Sequence, residues 1–386
     1  MNILFISPYF YPALALGGTP RAAYELGKEL AKLGHSVEVA TTDILSSGQR
    51  VPALSPGEKP GGMKVNYFPG LPPNLALKTR IFKARGLTAF LKANLRSYDF
   101  VHLHEFRTFL NTDFLKIWEQ SKKPPFGLSA HGGASRELKK AGLKKLFDRF
   151  WGHRLLHKAA FLFATSGLEE QAYRELGASP RQIKLLFNGI NPGLPLESSG
   201  KPQEFREKYQ LGDRRFILFL GRLNWIKGLD FLIPSFSRLI THPEVKLVIA
   251  GPDDGFLAEA QKLAAGLSLS DKIQFLPFLS QADKISAIRA CETLVLPSRY
   301  EIFGITLLEG LQLDKPVILT RECGLAEYLE GKSGAQIVGF GDQPALARAM
   351  ASNLNQPINP QEAKNYCLEH FTWEKIARNY LEIIIG

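Results

Sequence analysis

Two carboxylates, Glu301 and Glu309, stand with seven residues between them in the stretch PSRYEIFGITLLEGL, residues 297–311. On one continuous helix, eight steps of 100° would leave them about 80° apart, a poor geometry for a shared task. The apolar run before them, residues 293–296, has the character of a buried parallel strand, and Pro297-Ser298 and Phe303-Gly304 punctuate the residues after it. The pattern predicts a loop up to Gly304 and a helix from there. Glu301 then lies on the loop and Glu309 in the helix, with the unpaired amides of Gly304, Ile305 and Thr306 between them. That suits a phosphorylated ligand with hydroxyls at both ends.

Arg222 and Lys227 sit in GRLNWIKG, residues 221–228, bounded by glycines and following an apolar run. Two cations there suit a diphosphate, the guanidinium as a fork and the ammonium as a point charge; a solvated pair is the bland alternative. The GxxxxGK[ST] order of a Walker A loop is absent. So is any DxD pair, the common carboxylate seat for a metal–diphosphate complex, so neither metal nor cofactor is expected. His131 closes a predicted strand over 126–130 and precedes two glycines, a position from which it either touches a ligand or caps a turn. His102 and His104 share one face of a predicted strand; with no third ligand nearby in sequence, two neutral histidines are expected before a metal pair. Gly17-Gly18 allows close backbone approach to a ligand, although GxGxxG is lacking.

These residues need scaffolding, and 386 residues suit two domains. A strand over 3–7 leads into the glycine loop and then a helix capped by Thr19, with Pro20 at its first position and Gly34 at its end. Further strands are predicted at 37–41, 100–104, 161–165 and 183–187, and residues 46–62 form a Gly-, Pro- and Ser-rich mobile loop. Residues 191–200 read as the linker. Beyond it the alternation restarts, with strands at 216–220, 245–250, 272–276 and 316–320 and helices at 229–240, 256–267 and 281–290. A last helix covers 372–385. Apolar strands alternating with helices predict two parallel, doubly wound α/β sheets.

The net charge of +11 is uneven: residues 1–190 hold 27 Lys and Arg against 14 Asp and Glu, whereas residues 191–386 hold 21 against 23. The most basic segment, 136–158, carries Leu143, Leu146, Phe147, Phe150, Trp151 and Leu155 at helical spacing. It either docks at an anionic membrane surface or lipid-linked acceptor, or packs its apolar stripe inward behind a solvated basic face. Nucleic acid is the poorer partner, since no recognition motif accompanies the charge. Three scattered cysteines fit a reducing compartment, and the opening residues read as a first strand, not a signal peptide. No apolar run is long enough to span a membrane. The expected location is cytoplasmic, with docking on the inner face of the cytoplasmic membrane left open.

GRLNWIKG, AGPDDG, FLPFLS and EIFGITLLE, in this order and spacing, resemble the donor domain of a retaining GT-B glycosyltransferase of the glycosyl transferases group 1 class, family 4. PYFYPALALGGTPR, SAHGG, NGI at 188–190 and FTWEKIARNYLEII match as well, so the resemblance covers nearly the whole chain. It implies a GT-B fold of two Rossmann-like domains facing a central cleft. An acceptor-binding domain would occupy 1–190, a linker 191–200 and a donor-binding domain 201–370, with residues 371–386 crossing back to the first domain. It further implies that Arg222 and Lys227 hold the donor diphosphate, helped by the amides of Gly304, Ile305 and Thr306. Glu309 would bind ribose hydroxyls, Glu301 with the backbone near Phe303 the transferred sugar, and Phe278 and Leu279 would border the base. His131 would face the sugar, and Gly17-Gly18 would approach its phosphate. Cys323 departs from the pattern, which commonly has Gly there.

The function implied is metal-independent transfer of a hexose from a nucleotide sugar to an acceptor hydroxyl, in envelope polysaccharide, lipopolysaccharide or glycolipid assembly. A GT-B nucleotide-sugar epimerase and a non-catalytic nucleotide-sugar-binding subunit are the alternatives.

Overall fold

The computed structural model of the chain describes every residue except 53–57, 136–140, 194–199, 240–241 and 357, and omits the side chains of Ala141 and Leu143. It divides into two compact units: Met1–Gly189 with Trp373–Gly386, and Ile190–Thr372.

The first unit is built on strands β1 (Asn2–Ser7), β2 (Ser36–Thr42), β5 (Lys64–Phe68), β6 (Phe100–His104), β7 (Phe126–Ser129), β8 (Phe161–Ala164) and β9 (Ile183–Leu185). They form one parallel sheet in the order β5-β2-β1-β6-β7-β8-β9. Between β2 and β5 the chain makes a two-stranded antiparallel hairpin, β3 (Ile44–Ser46) and β4 (Gln49–Arg50). Part of the stretch expected as a mobile loop is therefore ordered; residues 53–57 lie outside the described residues.

Side chains alternate along β1 and feed two cores. Leu4 and Ile6 pack with Val101, Leu103 and Leu128, whereas Ile3 and Phe5 pack with Phe100, Phe163 and Tyr380. Helices Gly18–Lys32 and Trp373–Ile385 contribute Leu26, Leu30, Ile376 and Tyr380 to the second core. The closing helix thus packs within the first unit. Gly189 allows this return, because a Cβ there would lie within 2.8–3.0 Å of Trp373.

The second unit is a parallel sheet of β10 (Phe216–Leu220), β11 (Lys246–Ala250), β12 (Ile273–Leu276), β13 (Thr293–Leu296), β14 (Val317–Thr320) and β15 (Ala335–Val338). Their order is β12-β11-β10-β13-β14-β15. In both sheets the strand order reverses direction once, between β1 and β6 and between β10 and β13. Loops that leave the carboxyl ends of strands at such a switch point diverge and leave room for a ligand.

Several local expectations change. Thr19 does not cap the first helix: Gly17, at φ 131°, takes that place, and the Thr19 hydroxyl donates instead to Glu105. The helix expected over 229–240 ends at Phe236, with Pro234 inside it. The edge strands β5 and β15 and the helices Gln343–Asn355 and Gln361–His370 were not anticipated.

The basic segment forms helices Ala141–Phe147 and His153–Lys158 joined by a π-helix, Asp148–Gly152. Its first five residues lie outside the described residues. Its apolar stripe splits. Phe147 and Trp151 pack on Phe109 and Leu155 is fully buried, whereas Leu146 and Phe150 remain 54% and 52% exposed.

Tyr380 tests the closing helix. It is buried among Phe100, His102 and Phe163, and its hydroxyl has no partner among the described residues. Tyr380→Phe is expected to match or exceed the parent in urea unfolding, by up to about 1–2 kcal/mol, because an unsatisfied hydroxyl is removed. Tyr380→Ala should lose about 3–5 kcal/mol through the cavity it leaves. A destabilised phenylalanine variant would show that the hydroxyl has a partner in solution.

Candidate functional site

In the second unit, the loop after β10 is wedged between the loops after β11 and β13. Leu223 donates its amide to Pro252 O at 2.9 Å, and Asp254 returns one to Leu223 O at 3.0 Å. Gly251 and Gly228 make this possible. A Cβ on Gly251 would stand 1.9 Å from Gly221 O, and one on Gly228, at φ 70°, would stand 1.9 Å from Pro297 O.

Within the loop, Asn224 caps the short 3₁₀ turn Trp225–Lys227 by accepting from the Lys227 amide at 3.2 Å. Arg299, after β13, clamps the same turn. Its guanidinium stacks 4.2 Å from the Trp225 ring and 4.6 Å from Phe340, donates to Trp225 O and forms a two-pronged ion pair with Asp230.

The turn brings Lys227 to Glu301. Their ion pair crosses the switch point between β10 and β13. Glu301 is fixed from the other side by the loop after β14, donating its amide to Glu322 O at 3.0 Å and accepting from the Gly324 amide at 2.8 Å. Helix Ile305–Gln312 begins at Gly304, φ 90°, so the amides of Gly304, Ile305 and Thr306 form its open N-terminus. Cys323, the departure from the family pattern, is buried beneath this turn and bonds Phe303 O at 3.3 Å. Burial pushes its thiol far above the usual range.

The remaining expected residues meet partners that their own sequence neighbourhood does not announce. Arg222 pairs with Asp254 at 2.8 Å, and Asn224 shares the same carboxylate oxygen at 3.0 Å. Glu309 is not an open surface carboxylate: its side chain is 2% exposed, and Lys284 lies 2.6 Å from it. Phe278 is exposed, whereas the side chains of Leu279 and Phe303 are buried, which leaves their backbones for contact. Asp254, Lys284, Arg299 and Asp230 escaped the sequence reading. The AGPDDG motif and the helix start Ser280-Gln-Ala-Asp-Lys284 were the available signals for the first two.

In the first unit, Glu105 follows β6 and accepts from Tyr9 Oη at 2.9 Å and Thr19 Oγ1 at 2.7 Å. It thereby ties the loop holding Gly17 and Gly18 to the switch point between β1 and β6. His131 follows β7 with φ 48°, and its ring lies near-parallel to His104, Nε2 3.0 Å from His104 Nδ1. His102 stacks on His104 at 4.1 Å and meets Ser129 Oγ at 2.8 Å. Buried Glu169, another residue the sequence did not flag, accepts from the Gly132 amide at 2.7 Å and from Thr165. Burial holds His102 and His104 well below the usual imidazole range and lowers His131 to about 4. Among the described residues, no group of three or more His, Cys, Asp or Glu could hold a metal ion.

Two such sheets, with candidate residues on loops at their carboxyl ends, define the GT-B class. The model for glycosyl transferases group 1 matches residues 201–369, and that for the glycosyl transferase 4-like domain matches 17–189. The chain belongs to this glycosyltransferase family. It is 24% identical to an uncharacterized glycosyltransferase of Methanocaldococcus jannaschii, over 97% of this chain and 95% of the relative. A D-inositol 3-phosphate glycosyltransferase of Catenulispora acidiphila is 28% identical, over 96% and 90% respectively. The structure of Anabaena HepE in complex with UDP and glucose superposes with a TM-score of 0.80 at 17% identity, covering 100% of this chain and 99% of that one.

The buried imidazoles make stability depend on pH. Unfolded histidines bind protons near pH 6.5, whereas the folded ones are held below that value. Their contribution is present above pH 6.5 and is lost as the pH falls through the folded values. Each adds a slope of about 1.4 kcal/mol per pH unit. Urea unfolding of His102→Phe between about pH 5.5 and 4.5 should show a slope smaller by that amount. Equal slopes would mean that His102 is protonated in the fold.

Proposed function

We propose that this glycosyltransferase moves a hexose from a nucleoside-diphosphate sugar to an acceptor hydroxyl, with retention of anomeric configuration and without a metal. One observation carries the reading: Lys227 and Glu301 pair across the switch point, beside the open N-terminus of helix Ile305–Gln312. A cation, helix amides and a carboxylate there provide for a diphosphate and a sugar as neighbours. UDP-glucose is the working donor, since the HepE structure that this fold resembles holds UDP and glucose.

In this reading Arg222, Lys227 and the amides of Gly304, Ile305 and Thr306 stabilise the charge that grows on the leaving diphosphate. Glu309, oriented by Lys284, accepts from the ribose hydroxyls. Phe278 and the Leu279 backbone border the base. His131 donates to the sugar, and Gly17-Gly18 approaches its phosphate. The bond from the anomeric carbon to the diphosphate oxygen breaks while the acceptor oxygen attacks the same face, and the acceptor proton passes to the leaving phosphate. Glu301 positions the sugar. Its pairing with Lys227 supports that role over one as covalent nucleophile.

Arg222→Ala and Lys227→Ala should each lower kcat/KM for UDP release from UDP-glucose by about 10- to 100-fold, the scale of one charge-assisted contact. A change within about twofold would overturn the assignment. Parent activity should stay within about twofold on addition of EDTA; a large loss would remove the metal-free part of the proposal.

The acceptor side of the reading is a glycolipid or lipid-linked envelope saccharide at an anionic membrane surface. Among the described residues, Lys145 and Arg149 are exposed without ion pairs on the helical face that also carries exposed Leu146 and Phe150. Cations beside apolar side chains suit anionic headgroups over acyl chains. No helix among the described residues is long and apolar enough to cross a membrane. Binding to phosphatidylglycerol vesicles should weaken about tenfold or more in Lys145→Glu/Arg149→Glu and in Leu146→Ser/Phe150→Ser. Unchanged binding in both variants would sink the membrane proposal.

A further inference from the structure

We infer that His104 is a positioning residue that fixes the tautomer of His131, holding its proton on Nδ1 so that the ring meets a ligand as a hydrogen-bond donor. The inference deepens the proposed function and rests on it only where the ligand is taken to be the sugar.

The backbone around His131 is held on both sides. Ala130 donates its amide to Tyr173 Oη at 2.7 Å, Gly132 donates to Glu169 Oε1 at 2.7 Å, and Gly133 returns to Ala130 O at 2.8 Å. With the left-handed backbone so fixed, the imidazole has one ring hydrogen-bond partner among the described residues, His104, whose Nδ1 lies 3.0 Å from its Nε2. Two neutral imidazoles can place only one proton between those nitrogens.

The far side of His104 decides which ring supplies it. His104 is buried between the stacked His102 ring at 4.1 Å and the edge of Phe5 at 4.9 Å. Its Nε2 has no hydrogen-bond partner among the described residues. If His131 donated, the single proton of His104 would sit on that Nε2, a buried N–H with no acceptor. If His104 donates from Nδ1, its Nε2 keeps only a bare lone pair. The second arrangement avoids the costlier orphan. His131 Nε2 is then the acceptor, and its own proton occupies Nδ1, an atom with no protein partner among the described residues. The buried, neutral neighbour thus acts as a template for a donor, as a carboxylate or carbonyl does for other functional histidines.

Long-range proton–nitrogen correlation spectra of the full-length protein labelled with ¹⁵N-histidine test this at pH 7, with His131 assigned from the His131→Ala variant. The expected pattern is a protonated Nδ1 and a bare Nε2 on His131. A proton on Nε2, or a mixture, overturns the inference, and the parent protein alone decides this even if variants fold poorly. In His104→Leu the Nδ1–H pattern should be lost, and kcat for UDP release from UDP-glucose should fall about tenfold with KM within about threefold. His104→Asn, whose amide can donate from near the same position, should restore both. A leucine variant that keeps the tautomer and the rate also overturns it. If instead His131→Ala releases UDP at the parent rate, the sugar contact in the proposed function fails, while the spectrum still judges the tautomer.

Discussion

At two points in the second unit the backbone approaches itself so closely that no side chain fits between. Gly228 faces the carbonyl of Pro297, and Gly251 faces that of Gly221. A Cβ at either would stand 1.9 Å from an oxygen, far inside contact distance. These contacts hold the loops after β10, β11 and β13 against one another, and the charged pairs depend on them. Lys227 reaches Glu301, and Arg222 reaches Asp254, because their loops share backbone hydrogen bonds and close approaches. Arg299 adds a lock from a third direction, with its planar face on Trp225 and Phe340 and its fork on Asp230. A lysine would keep that charge but lose both the stack and the fork.

Much of this was legible from spacing. Apolar runs bounded by glycine and proline marked β10, β11 and β13, and the loop-then-helix reading of residues 297–311 matches the start of the helix at Ile305. What the sequence concealed was pairing at long range. Lys284 and Glu309 come from different helices, and nothing near either residue announces the other. Thr19 looks like a cap locally, but its hydroxyl finds a carboxylate on Glu105, and the helix starts two residues earlier, at Gly18. The basic segment left two readings open because its apolar stripe is wide. At 100° per residue Phe147 and Trp151 form one edge of the stripe and pack inward, while Leu146 and Phe150 form the other edge and stay exposed.

The two units carry polar groups in opposite ways. The second matches charge with charge at the rim of its sheet, where partial exposure keeps desolvation modest. Beside His131 the first relies on neutral rings, with His131 hydrogen-bonded to His104, His104 stacked on His102, and His102 against Tyr380, burial disfavouring protonation of each imidazole. A neutral imidazole is both donor and acceptor, so His104 can pass a choice of tautomer to His131 where a charged pair could only attract. The neutral line also binds the closing helix to the strand ends, through Tyr380 against His102.

The two glutamates of residues 297–311 are held separately. Each carboxylate has its own ammonium from a different element: Glu301 has Lys227 and Glu309 has Lys284. Removing Lys284 would take an ion-pair partner from a buried carboxylate, a loss that generally costs about 3–5 kcal/mol. Lys284 is thus as much a condition of the fold as of the site. Lys227 has a different part, because its partner carboxylate and the helix amides lie on either side of Gly304 in one continuous stretch. In the proposed reaction a phosphate drawn to Lys227 would share it with Glu301, so the phosphate and sugar contacts would be coupled through one ammonium. That coupling would tie the hold on the leaving group to the orientation of the group that it leaves, as a transfer reaction requires.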